Sequence, residues 1–121
     1  MIKTERIYLK RFTEADTDLL FQLDGDADVM KYITLGIPRT MDEVIENSMP
    51  RILQSYQEKS DFGIFAAYLK NSNGYIGWFQ FEKDKEFKDA IEIGWRLKKQ
   101  HWGNGYAIEV AISLSEMGMK M

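Results

Sequence analysis

The sequence predicts a mixed α+β domain in which helices pack on a largely antiparallel sheet. Three strand-like runs follow one another across short connections, as in a meander. Two capped helical regions with apolar stripes precede them, and a third helical stripe follows. A strand opens the series, so the order is strand, two helices, three strands, helix.

The opening strand is Arg6-Ile7-Tyr8-Leu9-Lys10-Arg11-Phe12, which alternates polar with apolar. Thr13-Glu14-Ala15-Asp16 reads as a helix start, with Thr13 as N-cap and Asp16 three residues on. Leu19, Leu20 and Leu23 follow at helical spacing, and Gly25 predicts the stop. Gly36-Ile37-Pro38-Arg39 is a loop, and Thr40-Met41-Asp42-Glu43 is a stronger capping box. Beyond it, Met41, Val44, Ile45, Ser48, Met49, Ile52, Leu53 and Tyr56 trace one helical face. Pro50 interrupts this run and predicts a kink or the start of a second helix.

The meander follows. Phe62 to Leu69 is its first strand, and Asn71-Ser72-Asn73-Gly74 is a strong turn. Tyr75 to Glu82 is the second strand, Lys83 to Asp89 a charged loop, and Ala90 to Leu97 the third. The last helix starts near Asn104 or Gly105, where Ala107, Val110, Ala111 and Leu114 give a buried stripe.

Bulk properties narrow the chemistry. The 121 residues fit one domain. A net charge of −3 argues against broad nucleic-acid binding, which needs clustered Lys and Arg, and is compatible with a cationic amine substrate. No Cys is present, which excludes disulfides, thiol nucleophiles and Cys-based metal sites. The single His, His101, excludes a His-rich zinc site, so no metal is expected. Met1 to Lys10 carries no signal-peptide core, and no apolar run approaches a membrane span. A cytoplasmic protein is expected.

The informative stretch runs from Glu92 to Ala107, where a strand ends, a glycine-bearing loop follows and a helix begins. Such a junction points backbone N–H groups into one concavity and adds the positive end of the helix dipole, so an anion is welcome there. Gly103 and Gly105 have no Cβ and let a phosphate approach the backbone closely. By itself a Gly-x-Gly pair is equally a turn before a helix. No Gly-Lys-Ser/Thr follows, which sets aside a P-loop, and Ile108 stands where a dinucleotide fingerprint has its third glycine.

Gln100-x-x-Gly103-x-Gly105-x-Ala107 resembles the signature of the GNAT acetyltransferases. The preceding Glu92-Ile93-Gly94-Trp95-Arg96-Leu97 and the run Trp102 to Glu109 are similar to the RimJ/RimL branch of that family. So are Thr4 to Phe12, Ile37-Pro38-Arg39-Thr40 and Gly74-Tyr75-Ile76-Gly77, in the right order along nearly the whole chain.

The resemblance implies a GNAT-type fold and transfer of an acetyl group from acetyl-CoA to a primary amine, a protein N-terminus or a small molecule. The amine attacks the thioester directly in a ternary complex. The resemblance places the pyrophosphate on Trp102, Gly103, Asn104, Gly105, Tyr106 and Ala107, next to Gln100. It lays the pantetheine arm along the backbone of Trp95, Arg96 and Leu97. Glu92 is the candidate general base, directly or through a water; its alternative is a structural carboxylate satisfied by Arg96 or a neighbouring strand. His101 is read as exposed in the loop, Tyr32 as core or part of an acceptor cleft, and Lys98 and Lys99 as solvated or near the CoA phosphates. The family fold normally continues with further strands and a helix, so 1–121 is expected to be a single incomplete domain. The strand Ala90 to Leu97 is then an open edge, which predicts a homodimer across that edge or by exchange of elements. The alternative function is a catalytically inactive CoA-binding remnant, or a fragment of a longer acetyltransferase.

Overall fold

The computed structural model describes residues 2–31, 33–56, 62–83 and 90–119. Five strands form one antiparallel sheet in the order of the chain. They are β1 (Ile2–Lys3), β2 (Ile7–Arg11), β3 (Gly63–Leu69), β4 (Tyr75–Lys83) and β5 (Ile91–Leu97). The three predicted meander strands stand within a residue of their expected ends. β1 was not expected; at two residues it is too short to show alternation, and it exists because Ile2 and Lys3 pair with Leu9 and Tyr8. The predicted loop after Lys83 and the residue Tyr32 lie outside the described residues.

Helices cover both faces. On one lie α1 (Thr17–Asp24), α2 (Met41–Glu43) and α3 (Met49–Gln54); on the other lies α4 (Tyr106–Met119). Alternation along the strands divides the core accordingly. Ile7, Leu9, Phe79, Phe81 and Leu97 pack with Val110 and Leu114 of α4. Ile64, Ala66 and Tyr68 pack with Leu20, Val44, Met49 and Ile52 of the opposite layer. Phe79 and Phe81 are fully buried, each contributing about 2–3 kcal/mol of transfer free energy. Tyr56 ties the layers at their edge: its hydroxyl accepts from the Phe12 N–H at 2.9 Å and donates to the Ile64 carbonyl.

Both capping boxes form. The Asp16 carboxylate accepts from the Thr13 N–H at 2.9 Å, opening a 3-10 turn, Glu14–Asp16, that leads into α1. Thr40 and Glu43 exchange bonds of 3.0 and 3.1 Å at the start of α2. Gly25 ends α1 in a right-handed conformation rather than the left-handed one usual for a glycine stop. Pro50 stands in the first turn of α3, so of the two expected outcomes the structure has the start of a further helical segment. A π-helical segment, Val44–Ser48, joins α2 to α3 with helical backbone angles at both junctions. The Met49 N–H reaches back five residues to the Val44 carbonyl. A π turn just ahead of the proline thus carries the backbone from α2 into α3 without leaving helical angles.

β4 carries an irregularity at Ile76, where the β3 register steps from Ala67↔Gly77 to Tyr68↔Tyr75. Gly77, at φ +148°, lies opposite Leu97 in the last β4–β5 pair. The Lys98 N–H then donates to the Ile76 carbonyl at 2.8 Å, so β5 stays joined to β4 up to the loop that forms the site. Among the described residues the outer edge of β5 has no strand partner.

Candidate functional site

Past β5 the chain makes a 3-10 turn, Lys99–His101, then a loop, then α4. Gly103 and Gly105 both take left-handed angles, φ +81° and +76°. Side-chain residues rarely adopt these values, so the loop needs its glycines where the sequence has them. The Asn104 amide donates to the carbonyls of His101 and Trp102 at 3.2 and 3.4 Å, stapling the loop from within. The first bond of α4 runs from the Glu109 N–H to the Gly105 carbonyl at 3.1 Å. The N–H groups of Tyr106, Ala107 and Ile108 therefore have no intrahelical acceptor. With the dipole of a 14-residue helix behind them, they present roughly half a positive charge.

Residues far away in sequence hold this helix end in place. Glu109 accepts from the Thr4 hydroxyl at 2.6 Å, the Arg6 N–H at 2.9 Å and the Arg6 Nε at 2.6 Å. Arg6 also donates to the Asn104 carbonyl at 3.1 Å and lies 4.5 Å from the centre of the Tyr106 ring. Burial opposes the charge on Glu109, but the bonds from Thr4 and Arg6 outweigh it and hold the carboxyl below its usual range. The β1–β2 connection thus clasps the N-terminus of α4. Sequence reasoning missed the clasp, because no local pattern links Thr4 and Arg6 to Glu109.

A cleft of about 500 Å³ opens beside this cradle. Trp95, Arg96, Leu97, Trp102, Gly103, Gly105, Tyr106 and Ala107 line it, so the structure brings together eight of the ten predicted binding residues. Gln100 lies exposed on the 3-10 turn, and Asn104 serves the loop; neither lines the cleft. Val29, Ile33 and Ile108 complete the wall and were not expected. Trp95 and Trp102, each 48% exposed, give the cleft apolar flanks. The Arg96 carbonyl faces β4, within 2.2 Å of where a Cβ on Gly77 would stand. By strand alternation Trp95 and Leu97 turn their N–H and C=O groups to the open edge. The Leu97 carbonyl is taken by the Trp102 indole N–H at 2.9 Å, leaving the Trp95 pair and the Leu97 N–H available.

The other face of β5 carries Glu92, Gly94 and Arg96. Glu92 is exposed and stands opposite Glu82 in the β4–β5 register. Arg96 does not satisfy it: the Arg96 Nη1 binds Asp24 at 2.7 Å, and Glu92 makes no ion pair among the described residues. Asp24, at the end of α1, is 1% exposed and also meets Arg39 at 3.5 Å. Arg39 donates to Ser48 at 3.0 Å and, through its N–H, to the Asp24 carbonyl at 2.7 Å. This buried carboxylate was not anticipated, since an Asp at a helix end reads as a solvated residue. Lys99 pairs with Asp28 at 2.7 Å on the surface. His101 is half-buried against Tyr106 rather than exposed, and burial, with repulsion from Lys98, pushes its imidazole down.

No helix among the described residues is long and apolar enough to cross a membrane, and no cluster of three or more metal-ligating side chains occurs among them. The family model for an acetyltransferase (GNAT) domain matches residues 6–121. The chain is 29% identical to an uncharacterized N-acetyltransferase of Bacillus licheniformis, over 95% of this chain and 64% of that one. It is 27% identical to the FsC-acetyl coenzyme A-N(2)-transacetylase of Aspergillus fumigatus, over 98% of this chain and 54% of that one. The chain thus spans 54% to 64% of the length of these two relatives. A solved GNAT-family acetyltransferase from Bacillus anthracis superposes with a TM-score of 0.76 at 28% identity, over 98% of this chain and 66% of that one. The antiparallel sheet, the glycine loop ending at a clasped helix N-terminus and the family match over nearly the whole chain agree: it belongs to the GNAT acetyltransferases.

Proposed function

We propose that this chain binds acetyl-CoA in the cleft beside α4 and transfers the acetyl group to a primary amine within a ternary complex. The observation that carries this reading is the cradle itself. Three N–H groups without intrahelical acceptors, two left-handed glycines and an apolar cleft of about 500 Å³ converge at one helix N-terminus. The fit is good for a diphosphate: a Cβ on Gly103 would meet nothing within 4 Å, so the space beside the backbone is open. The N–H groups of Tyr106 to Ile108 would hold the diphosphate, and the Trp95 N–H and C=O with the Leu97 N–H would pair with the amides of the pantetheine arm. Trp95 and Trp102 would shield it from water. When bound, acetyl-CoA supplies an activated acyl thioester. Glu92 would take the proton from the attacking amine, directly or through a water, as the C–N bond forms and the thioester C–S bond breaks, and that proton is then free to pass on to the departing CoA sulfur. The motifs favour the RimJ/RimL branch.

The same reading puts the protein in the cytoplasm, where a chain without Cys needs no oxidising compartment. It also gives it a homodimer, through the part of the β5 edge ahead of Trp95 that the pantetheine arm leaves free or by exchange of elements, as a concentration-dependent mass in light scattering would show. A second reading is CoA binding without turnover, since Glu92 does not line the cleft.

Isothermal titration of the 121-residue chain with acetyl-CoA tests the cradle. Saturable one-site binding is expected, and no heat at millimolar ligand would remove the proposal. Gly105→Val is expected to weaken that binding at least tenfold. A β-branched side chain at φ +76° is strained by about 1–3 kcal/mol, and its methyls would project beside the N–H groups the diphosphate needs. Unchanged affinity would place the anion elsewhere. Glu92→Gln is expected to lower kcat by about 10²-fold or more, the usual contribution of a general base, and to leave acetyl-CoA affinity intact. Turnover equal to wild type would exclude Glu92 as the base.

A further inference from the structure

A second cavity, of about 300 Å³, opens on the α1–α3 face of the sheet. Its floor is apolar, built from the buried Leu20, Ile52 and Ile64. Its charged lining is unbalanced: Arg39, Arg51 and Arg96 stand against one carboxylate, Asp24, an excess of two positive charges. Arg39 and Arg96 already bind Asp24, whereas Arg51 makes no ion pair among the described residues. A second observation is independent of charge. The Arg96 Nε and the Trp78 Nε1 are buried without any hydrogen-bond partner, and both residues line this cavity. Both atoms can only donate, so what they lack is an acceptor. Native structures rarely leave such donors unpaired, and where they do a missing ligand is a standard cause.

The proposed base does not line the cavity but stands near it. Gln80, on its wall, is the register partner of Gly94, and Glu92 lies two residues further along the same face of β5. That is about 7 Å at the usual rise of a strand.

We propose that this cavity holds a carboxylate of the acceptor, so that the acetylated molecule is a small amino acid-like amine and not a polyamine. The proposal rests on the transferase reading above and names its substrate class. The Arg51 guanidinium meets the carboxylate directly, and a shift of the Arg96 and Trp78 side chains, whose Nε and Nε1 are closed off from solvent in the unbound cavity, brings their unpaired N–H groups to its oxygens. Charge-assisted bonds of this kind are stronger than neutral ones. The amine, a few carbon atoms away, extends towards Glu92. A diamine of equal length finds the same excess positive charge and is repelled.

Ligand-observed NMR on the 121-residue chain tests this with three probes of matched length: 4-aminobutyrate, butylamine and 1,4-diaminobutane. Glycine, β-alanine and 5-aminopentanoate then vary the spacing. At least one amino acid of the series is expected to bind tenfold or more tightly than butylamine, and 1,4-diaminobutane more weakly still. Arg51→Gln is expected to weaken the amino acid at least fivefold and Arg51→Lys by less, both with acetyl-CoA affinity unchanged. Arg51 is exposed and outside the core, so the variants should fold as wild type does. Diamine binding equal to or tighter than that of the amino acids would overturn the proposal, as would acetyl-CoA binding with no amino acid bound. Amino acid binding without acetyl-CoA binding would uphold the carboxylate site and remove the transferase reading instead.

Discussion

Asp24→Ala is expected to destabilise the fold by about 3–5 kcal/mol, the range for removing one partner of a buried ion pair. The size follows from what is left behind. Asp24 is 1% exposed and Arg96 14%, so water cannot readily take the place of the carboxylate. The Arg96 Nε is already unpaired, and the substitution would strip Nη1 as well. The guanidinium would then rest on the Trp78 ring, 4.9 Å away, as its main remaining favourable contact. Arg39 would lose its ion pair with the end of α1 but keep Ser48 and the bond from its N–H to the backbone carbonyl of residue 24. Urea denaturation measures the loss, and a shift below about 1 kcal/mol would show that the pair is not buried as described. Asp24→Asn keeps an acceptor and should cost less. In the double variant Asp24→Ala/Arg96→Met, part of the loss should return, because burying an apolar chain does not incur the desolvation of a lone charge.

Gly77→Ala is expected to cost about 3 kcal/mol or more for a different reason. A Cβ there would sit 2.2 Å from the Arg96 carbonyl oxygen and 2.8 Å from the Leu97 Cα, both backbone atoms of the neighbouring strand. Its φ of +148° is also one that side-chain residues avoid. Neither problem can be relieved by a rotamer change; β4 and β5 must part at the place where β5 feeds the glycine loop. Gly94→Ala is the control. Its Cβ would meet only the Gln80 side chain, the Oε1 at 3.2 Å and the Cβ at an ordinary 3.9 Å, and the tip of a flexible side chain can move aside. Thermal melts of the two variants should differ by on the order of 10 °C. Equal melting temperatures would mean that the close approach of β4 and β5 is softer than its distances imply.

These two sites differ in how far the sequence foretold them. Gly77 belongs to a strand whose alternation is local, and the meander, both capping boxes and the glycine loop are legible because their signals lie within a few residues of one another. The cleft was legible for the same reason, since eight of its lining residues fall between Trp95 and Ala107. What escaped depends on tertiary contact. Asp24 is buried because Arg96, 72 residues later, comes to meet it. Val29 and Ile33 join the cleft from a region of turns with no periodicity. Pro50 foretells the start of α3 but not the π turn ahead of it, which joins α2 to α3 with helical backbone angles. The second cavity was not legible either, because Arg39, Arg51, Trp78 and Arg96 lie on a loop, α3, β4 and β5 in turn and meet only in the fold.

The clasp at α4 joins residues 103 to 105 positions apart, almost the whole length of the chain. Closing so long a loop carries an entropic cost that local contacts avoid. The geometry of the cradle therefore exists only once the first hairpin and the last described helix have met, which makes the loop a gauge of the completeness of folding. By linkage, a ligand that needs this geometry stabilises everything required to form it, by an amount that grows as RT ln(1 + [L]/Kd). Occupancy at a handful of loop amides is in this way felt at the opposite end of the sequence, in a two-residue strand that touches no ligand at all.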